Sequence, residues 1–215
     1  ISQLPDVRDL ADFCDVFCEE GAFTPNESKE ILEQAANLGF GLKIHADEFG
    51  DTGGGKLAAE LRVTSADHLA GSTLETIELL RDSGTIGVLL PGTPFAILSD
   101  HFAPARKMID SGLPITLASD YNPGSSPSGN IEFILSLACI KLKMTPEEAI
   151  NAVTINGAHA MEVQNELGSI EKGKIANLII TEKLPSNAFI PYSFGKSLIK
   201  KVIIQGKLYN DYNTK

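Results

Sequence analysis

The first two thirds of the chain repeat one pattern, and this repetition limits the possible folds more than any other feature. A short apolar segment is followed by a turn and then by a segment with helical periodicity. The apolar segments, which we predict to be strands, are 15–18, 42–46, 63–66, 86–90 and 115–119. Their spacing leaves room for a crossover helix between successive strands, as parallel pairing requires. We therefore predict an α/β fold with a parallel sheet.

Start signals mark the helices between these strands. Thr24 and Glu27 form a capping box with Pro25 at the first helical position, which predicts a helix that ends near residue 38. Thr145 and Glu148 form a second capping box. Helices are also expected at 56–61, 74–81, 104–110, 131–141 and 146–153.

The last quarter of the chain has a different character. Glycines at positions 168, 173 and 206 punctuate two β-rich segments, 177–181 and 201–205, with no long helix between them. We predict that residues 1–165 form a catalytic α/β domain. Residues 166–215 are expected to contribute strands of a small β-domain beside it.

The number of repeats leaves two architectures open. A closed TIM barrel takes eight strands and typically ~250 residues, so five strand–helix units cannot close one. The repeats therefore form either a doubly wound open sheet or a partial (β/α) barrel, about strands 4–8 of the eight. The residues that carry chemistry distinguish these possibilities.

Charge and cysteine content argue against several kinds of partner. The chain has 18 Lys and Arg residues against 28 Asp and Glu residues, a net charge of −10. This balance disfavours nucleic acid and anionic membranes, since both attract clustered positive charge. The three cysteines lack a zinc-type pairing and indicate structural thiols in a reducing compartment. No apolar stretch approaches the ~20 residues of a membrane span, and we expect a cytoplasmic protein.

Two of the four histidines and one aspartate stand where predicted strands end. His45 lies at the end of one apolar segment, His68 follows the next, and Asp120 follows the last. The carboxyl ends of parallel strands meet at one edge of a sheet, so these three side chains should converge. Imidazole and carboxylate groups together suit zinc or iron. The sequence therefore predicts a metal site at this edge.

Three other features receive structural interpretations. Residues 50–57 approach a phosphate-binding loop, but Leu57 stands where such a loop needs Ser or Thr. We interpret this segment as a turn that leads into a helix. His101 is interpreted as a solvated loop residue, and His159, in a helical stretch of small residues at 156–160, as a packing residue.

Four motifs carry a resemblance to a known family. They are the segments 45–49 (HADEF), 65–69 (SADHL), 89–93 (LLPGT) and 120–127 (DYNPGSSP). Together they resemble the imidazolonepropionase family of the metal-dependent amidohydrolase superfamily, over nearly the whole chain. The resemblance implies a distorted TIM barrel with an accompanying β-domain, and it therefore favours the partial barrel over the open sheet.

The resemblance also implies roles for residues at matching positions. His45, from the fifth barrel strand, and Asp120, from the eighth, would be ligands of Zn²⁺ or Fe³⁺. Asp120 would also take a proton from the attacking water, while His68 would polarise the ring carbonyl or relay a proton. Glu48 would be a catalytic residue that contacts the imidazolone ring. The remaining substrate-binding residues would be Asn122, Gly124 and Ser125.

The implied reaction is hydrolysis of the cyclic amide C–N bond of 4-imidazolone-5-propanoate. Its product is N-formimidoyl-glutamate, an intermediate of histidine degradation. Attack of activated water on the ring carbonyl, with electrostatic stabilisation of the oxyanion, accounts for the need for a metal. The implied partner is a small-molecule substrate, and the resemblance further implies a homodimer.

One family feature does not occur in these 215 residues. The family's first strand carries a His-x-His pair that completes the metal site, and the sequence contains no such pair. The expected activity therefore belongs to the parent protein, because two ligands alone would bind a metal weakly. Two alternatives stay open. One is a purine or pyrimidine deaminase in which Glu48 shuttles a proton, and the other is a non-catalytic, metal-free fragment.

Overall fold

The computed structural model describes residues 1–209 and shows an α/β arrangement with two separate sheets. The larger sheet has five parallel strands in the order β1 to β5, and the smaller has three antiparallel strands in the order β6 to β8. The strands are β1 Phe13–Cys18, β2 Gly41–Ala46, β3 Ser65–His68, β4 Ile86–Leu89, β5 Ile115–Leu117, β6 Leu178–Thr181, β7 Ile199–Ile204 and β8 Lys207–Tyr209.

The order of strands decides between the two predicted architectures. Each strand of the larger sheet pairs with the strand that precedes it in the chain, without any reversal. A doubly wound sheet reverses its strand order at a switch point, whereas a (β/α) barrel adds strands in one direction. The larger sheet is therefore a five-stranded segment of a (β/α) barrel.

The helices largely follow the predicted positions. They are α1 Pro25–Asn37, α2 Gly54–Leu61, α3 Leu74–Ser83, α4 Gly92–Ala96, α5 Ala105–Asp110, α6 Ile131–Ile140, α7 Pro146–Val153, α8 Ile155–Ala160 and α9 Phe189–Tyr192. Both capping boxes are confirmed, at Thr24 and at Thr145. Helices α4 and α9 were not predicted, because five and four residues are too few for a periodic pattern. No helix in the described part of the chain combines the length and apolar character that crossing a bilayer requires.

The third strand differs from its predicted position. The prediction of 63–66 is wrong by two residues, since β3 spans Ser65–His68. Val63 is fully buried but precedes the strand, and its N–H donates to the carbonyl of Ala58 in α2. The strand itself carries the polar residues Ser65 and Asp67, so apolar content alone places it too early.

The two faces of the larger sheet have different chemistry. In β2, Leu42, Ile44 and Ala46 belong to the hydrophobic core between the sheet and the helices. The alternate residues Lys43 and His45 lie on the opposite face, because successive side chains of a strand point to opposite sides. This second face corresponds to the inside of the barrel, and it carries the polar groups.

At the amino end of the sheet, Lys43 connects the inner face to α8. Its Nζ donates to the carbonyl oxygen of Ala160 at 2.6 Å and to Oγ of Ser65 at 3.1 Å. The same atom lies 4.5 Å from the centre of the Phe13 ring. Burial lowers the pKa of Lys43, although the neighbouring Asp67 opposes this change. Each polar group of this cluster therefore has a partner within the protein.

The C-terminal segment packs against α6. Oγ of Ser136 donates to the carbonyl of Pro191 at 2.7 Å, and the N–H of Leu198 donates to Oε1 of Glu132 at 3.0 Å. The two predicted β-rich segments correspond to β6 and β7. The boundary at residue 165 stays a prediction. Of the predicted segment 166–215, residues 210–215 lie outside the described part of the chain.

Candidate active site

Three predicted site residues converge at the carboxyl edge of the larger sheet. His45 lies near the end of β2, His68 ends β3, and Asp120 follows β5. One potential ligand atom from each lies within 4.8 Å of the others. The ring centroids of the two histidines are 5.5 Å apart, and Nε2 of His68 is 3.9 Å from Oδ2 of Asp120. These side chains are close enough to share one ion.

The backbone turns sharply where these side chains leave their strands. His68 has a φ of 74°, Asp120 of 51°, and Asp47, the residue before Glu48, of 52°. Positive φ is uncommon outside glycine, and such conformations cluster at functional sites where the surroundings hold them. The fully buried carboxylate of Asp47 is held by a hydrogen bond from Oγ of Ser72 at 2.8 Å. The hydrogen bond to Asp47 therefore holds the turn that leads to Glu48 in place.

Glu48 faces His68 across a short gap. Its Oε2 lies 3.7 Å from Nε2 of His68, too far for a hydrogen bond. Burial raises the pKa of Glu48 to about 7, and the charges of Asp120 and Glu19 act in the same direction. Burial lowers the pKa of His68 to about 4, against the effect of Asp120. A carboxyl group that titrates near neutrality beside a neutral imidazole suits general acid–base catalysis.

His45 has a partner that was not predicted. Its Nδ1 lies 2.9 Å from Oδ2 of Asp15 and 3.1 Å from Oδ1. Burial alone would lower the pKa of His45, but the hydrogen bond and charge of Asp15, with Asp67 and Asp120, raise it to about 9. The available signal was the position of Asp15, which alternates with buried residues in a predicted strand and so faces the barrel interior.

Two further residues support the site and were also missed. Glu19, only 5% exposed, accepts hydrogen bonds from the backbone N–H of Glu48 at 2.8 Å and of Phe49 at 3.2 Å. Oγ1 of Thr93 donates to Oδ2 of Asp120. Glu19 follows β1 directly and Thr93 lies just beyond β4. A search for every polar residue after a predicted strand, and not only for histidine and aspartate, finds both.

The predicted substrate-binding loop is organised by Asn122. Its Oδ1 accepts from the N–H groups of Gly124 and Ser125, both at 2.8 Å, and its Nδ2 donates to the carbonyl of Asp120 at 2.7 Å. These bonds engage the Asn122 amide within the loop itself. Gly124 is exposed and Ser125 half-buried, so these two residues form the accessible part of the loop.

A cleft opens beside Glu48 and His68. Its walls combine a few polar groups with apolar side chains, a combination typical of small-molecule sites. The residues that line it include Phe49, Leu90, Pro91, Thr93, Pro94, Ile97 and His101. His101 is exposed, as interpreted, and also borders this cleft. The interpretation of His159 as a packing residue is wrong, because α8 turns its side chain to solvent.

The glycine-rich segment after β2 is a turn and a helix start, as interpreted. Gly53, with a φ of 87°, precedes α2. A Cβ on Gly55 would lie 2.6 Å from atoms of Asp47 and Thr76, so close packing requires glycine there. Nζ of Lys56 lies 2.7 Å from the exposed Glu75 carboxylate. Gly53 therefore serves the turn and Gly55 the packing, and Lys56 belongs to a surface ion pair.

The donor set of the site fits a metal ion. Two imidazoles and one carboxylate are suitable ligands for zinc and iron, and catalytic zinc sites commonly have three protein ligands. Within residues 1–209, no hydrogen bond joins His45, His68 and Asp120 to one another, so the three side chains can face a shared ion. His68, expected to face the substrate, is thus a third potential donor.

Comparison with known proteins identifies the family. A sequence profile described as "Amidohydrolase family" matches residues 18–209, which include every predicted site residue. The chain belongs to the amidohydrolase family. Family membership and the cluster of His45, His68 and Asp120 together indicate a metal cofactor.

Two curated relatives of this amidohydrolase chain carry the same name. An imidazolonepropionase of Alkaliphilus metalliredigens (strain QYMF) is 49% identical over 204 residues, which are 95% of this chain and 48% of that protein. An imidazolonepropionase of Bacillus velezensis (strain DSM 23117 / BGSC 10A6 / LMG 26770 / FZB42) is 48% identical over 206 residues, 95% of this chain and 49% of that protein. The chain spans about half the length of these relatives.

Solved structures similar to this amidohydrolase chain support the fold. An adenosine deaminase from Xanthomonas campestris with bound zinc has a TM-score of 0.80 at 19% identity, over 97% of this chain and 55% of that chain. An ochratoxinase from A. niger has a TM-score of 0.78 at 23% identity, over 95% of this chain and 52% of that chain. At such identities the similarity concerns the fold alone.

Proposed function

We propose that the protein containing this chain hydrolyses 4-imidazolone-5-propanoate to N-formimidoyl-L-glutamate in histidine degradation. The observation that carries the proposal is the 49% identity to an imidazolonepropionase over 95% of the chain. One water molecule is consumed. Its oxygen joins the ring carbonyl carbon, the C–N bond of the cyclic amide breaks, and the ring nitrogen leaves with a proton.

In this proposal His45 and Asp120 are metal ligands, and His68 is close enough to join them. The ion is Zn²⁺ or Fe³⁺, since imidazole and carboxylate ligands suit both. The chemistry that the ion supplies when bound is Lewis acidity and a lowered pKa for water. Oδ2 of Asp120 accepts a hydrogen bond from Thr93, which orients the carboxylate that takes the proton of the attacking water.

Glu48 and His68 act on the ring. With a pKa of about 7, the Glu48 carboxyl group can deliver a proton to the ring nitrogen as the C–N bond breaks. With a pKa of about 4, His68 stays neutral at physiological pH and can donate a hydrogen bond to the ring carbonyl oxygen. Gly124 and Ser125 contact the substrate from a loop that Asn122 holds in shape.

The remaining assignments follow from the same proposal. The partner is a small molecule, the protein acts in the cytoplasm, and two copies form a homodimer. The homodimer is tested by light scattering of the purified protein, where a single-copy mass would contradict it.

The experiment uses protein produced from the complete gene, so that any sequence beyond residues 1–215 is included. Loss of the imidazolone ring is followed by its ultraviolet absorbance, before and after treatment with a chelator and after Zn²⁺ or iron is restored. We expect turnover that the chelator abolishes and the metal restores. Metal analysis of the untreated protein identifies the ion and separates an enzyme from a metal-free fragment.

The deaminase alternative is tested on the same preparation. Purine and pyrimidine bases and nucleosides replace the imidazolone, and release of ammonia is measured. Ammonia release without imidazolone turnover from folded, metal-loaded protein would reject the proposed reaction in favour of a deaminase.

A further inference from the structure

Strand β1 supplies two side chains that flank His45. In the pairing of β1 with β2, Phe17 lies opposite His45 and Asp15 lies opposite Lys43, so these side chains share the inner face. The Phe17 ring meets the His45 ring edge to face, with centroids 6.3 Å apart and planes at 81°. The Asp15 carboxylate reaches Nδ1 of His45 at 2.9 Å. The imidazole is therefore held by one neighbour and packed against another.

We propose that Asp15 is a positioning residue for the metal centre, holding Nδ1 of His45 so that Nε2 is presented to the ion. The proposal rests on the metal site assigned above. An imidazole has two ring nitrogens, and the hydrogen bond at one determines which of them is free to bind a metal. Metal-binding histidines almost always donate the second N–H to a carboxylate, a carbonyl or water. Asp15 occupies this place for His45.

The contact between Asp15 and His45 is better explained by orientation of the imidazole than by a contribution to folding stability. The two side chains are 30% and 40% exposed, and an ion pair of such exposure contributes little to folding stability. Two other carboxylates lie near the ring: Asp120, which belongs to the metal site itself, and Asp67, opposite His45 in β3. Oδ1 of Asp67 accepts from Oγ of Ser65 at 3.2 Å. In the described part of the chain, Asp15 is the carboxylate that hydrogen-bonds to His45.

The test measures metal binding, so that it does not depend on the reaction. Asp15→Ala and Asp15→Asn are made in the protein from the complete gene, and Zn²⁺ affinity is measured by competition with a chelating dye. The matched control is Asp12→Asn, an exposed aspartate just before β1 without a side-chain hydrogen bond among residues 1–209. The ligand-field spectrum of bound Co²⁺ reports the geometry of the site, and thermal unfolding reports folding.

We expect Asp15→Ala to weaken Zn²⁺ binding by about 10- to 100-fold and to change the Co²⁺ spectrum. Asp15→Asn should lose less affinity, because its amide oxygen can still accept the Nδ1 proton. The control should match the original protein. If Asp15→Ala does not fold, the isosteric Asp15→Asn decides, with a measurable loss of affinity and an altered spectrum expected.

Unchanged affinity and an unchanged spectrum in a folded Asp15 variant would overturn the proposal. So would an original protein that binds no metal. The result is independent of the proposed reaction: weakened metal binding in the variant, with no imidazolone turnover by the original protein, supports Asp15 and rejects the reaction. Full turnover with unaltered metal binding in Asp15→Ala supports the proposed reaction and rejects the role of Asp15.

Discussion

The two ends of the five-stranded sheet differ in how their polar groups are paired. At the amino end, Lys43 donates to the Ala160 carbonyl at 2.6 Å and to Ser65 at 3.1 Å. At the carboxyl end, Nε2 of His68 stands 3.7 Å from Glu48 and 3.9 Å from Asp120, beyond hydrogen-bond range. Buried polar groups are normally paired, so the gaps at the carboxyl end mark the place for a ligand.

At the carboxyl end, other carboxylates are fully hydrogen-bonded and support the turns that carry the unpaired groups. Glu19 accepts two backbone N–H groups at residues 48 and 49, and Asp47 accepts from Ser72. These carboxylates hold the turn that carries Glu48, whose own carboxyl group has a raised pKa of about 7. The side chains that have no partner at this edge among the described residues are thus carried by turns that hydrogen bonds hold rigidly, which is what a preorganised site needs.

The largest expected effect on turnover is at Asp120, at the carboxyl end of the sheet. Asp120→Asn should lower turnover of the imidazolone by about 10³-fold and reduce bound metal, because it removes both a ligand charge and a proton acceptor. Asparagine tolerates the positive φ of 51° at this position, so folding should be preserved. Steady-state kinetics and metal analysis check this, with exposed Asp100→Asn as the control. Full activity with full metal content would show that Asp120 is neither a metal ligand nor the proton acceptor.

Glu48→Gln separates proton transfer from metal binding at the same end of the sheet. We expect turnover to fall by about 10²-fold with metal content unchanged, because the amide keeps the shape but cannot carry the proton. The backbone bond from Glu48 N–H to Glu19 does not involve the side chain and should persist. Loss of the metal in this variant would show that Glu48 belongs to the metal site instead.

A change at the amino end should affect stability more than turnover. Lys43→Met leaves the Ala160 carbonyl and Ser65 without their donor, and should lower the free energy of unfolding by about 1–3 kcal/mol. Turnover should change by less than about tenfold. Urea denaturation and kinetics measure the two effects. Lys29→Met, which breaks an exposed ion pair with Glu60, is the control and should change stability much less than Lys43→Met.

The smallest expected effect lies on the outer, helical side. A hydrogen bond from Arg106 lowers the pKa of Glu148 below its ordinary 4.5, so this pair stabilises the folded state above that pH and the contribution is lost as pH falls through the lowered value. Arg106→Gln should cost little stability near neutral pH, since the pair is partly exposed. Urea denaturation should show that the difference vanishes in acid. A persistent difference would mean that Arg106 acts by packing.

Much of this organisation was predictable because its causes are local. Capping boxes at Thr24 and Thr145 involve residues three positions apart, and both are confirmed. The convergence of His45, His68 and Asp120 followed from one rule, that parallel strands end at a common edge. Strand β3 was placed two residues early because a polar inner face does not show the apolar pattern of a buried strand.

The supporting residues were not predictable in the same way. Asp15 meets His45 across 30 positions of sequence, and Glu19 meets the backbone of Glu48 across 29. Each contact depends on the register between β1 and β2, which local patterns do not specify. The roles proposed for Glu48 and His68 likewise depend on burial, which moves their pKa values in opposite directions.

The sequence by itself determined the repeated strand–helix unit, the polar residues at strand ends and the family that their motifs resemble. Tertiary structure decided which groups are paired and which stay open. Lys43 donates a hydrogen bond to the Ala160 carbonyl, 117 residues away in the sequence, whereas His68 and Glu48 lie 3.7 Å apart without a hydrogen bond. The reason is physical: periodicity and capping act over a few residues, whereas pairing, burial and pKa depend on distances that exist only after the chain has folded.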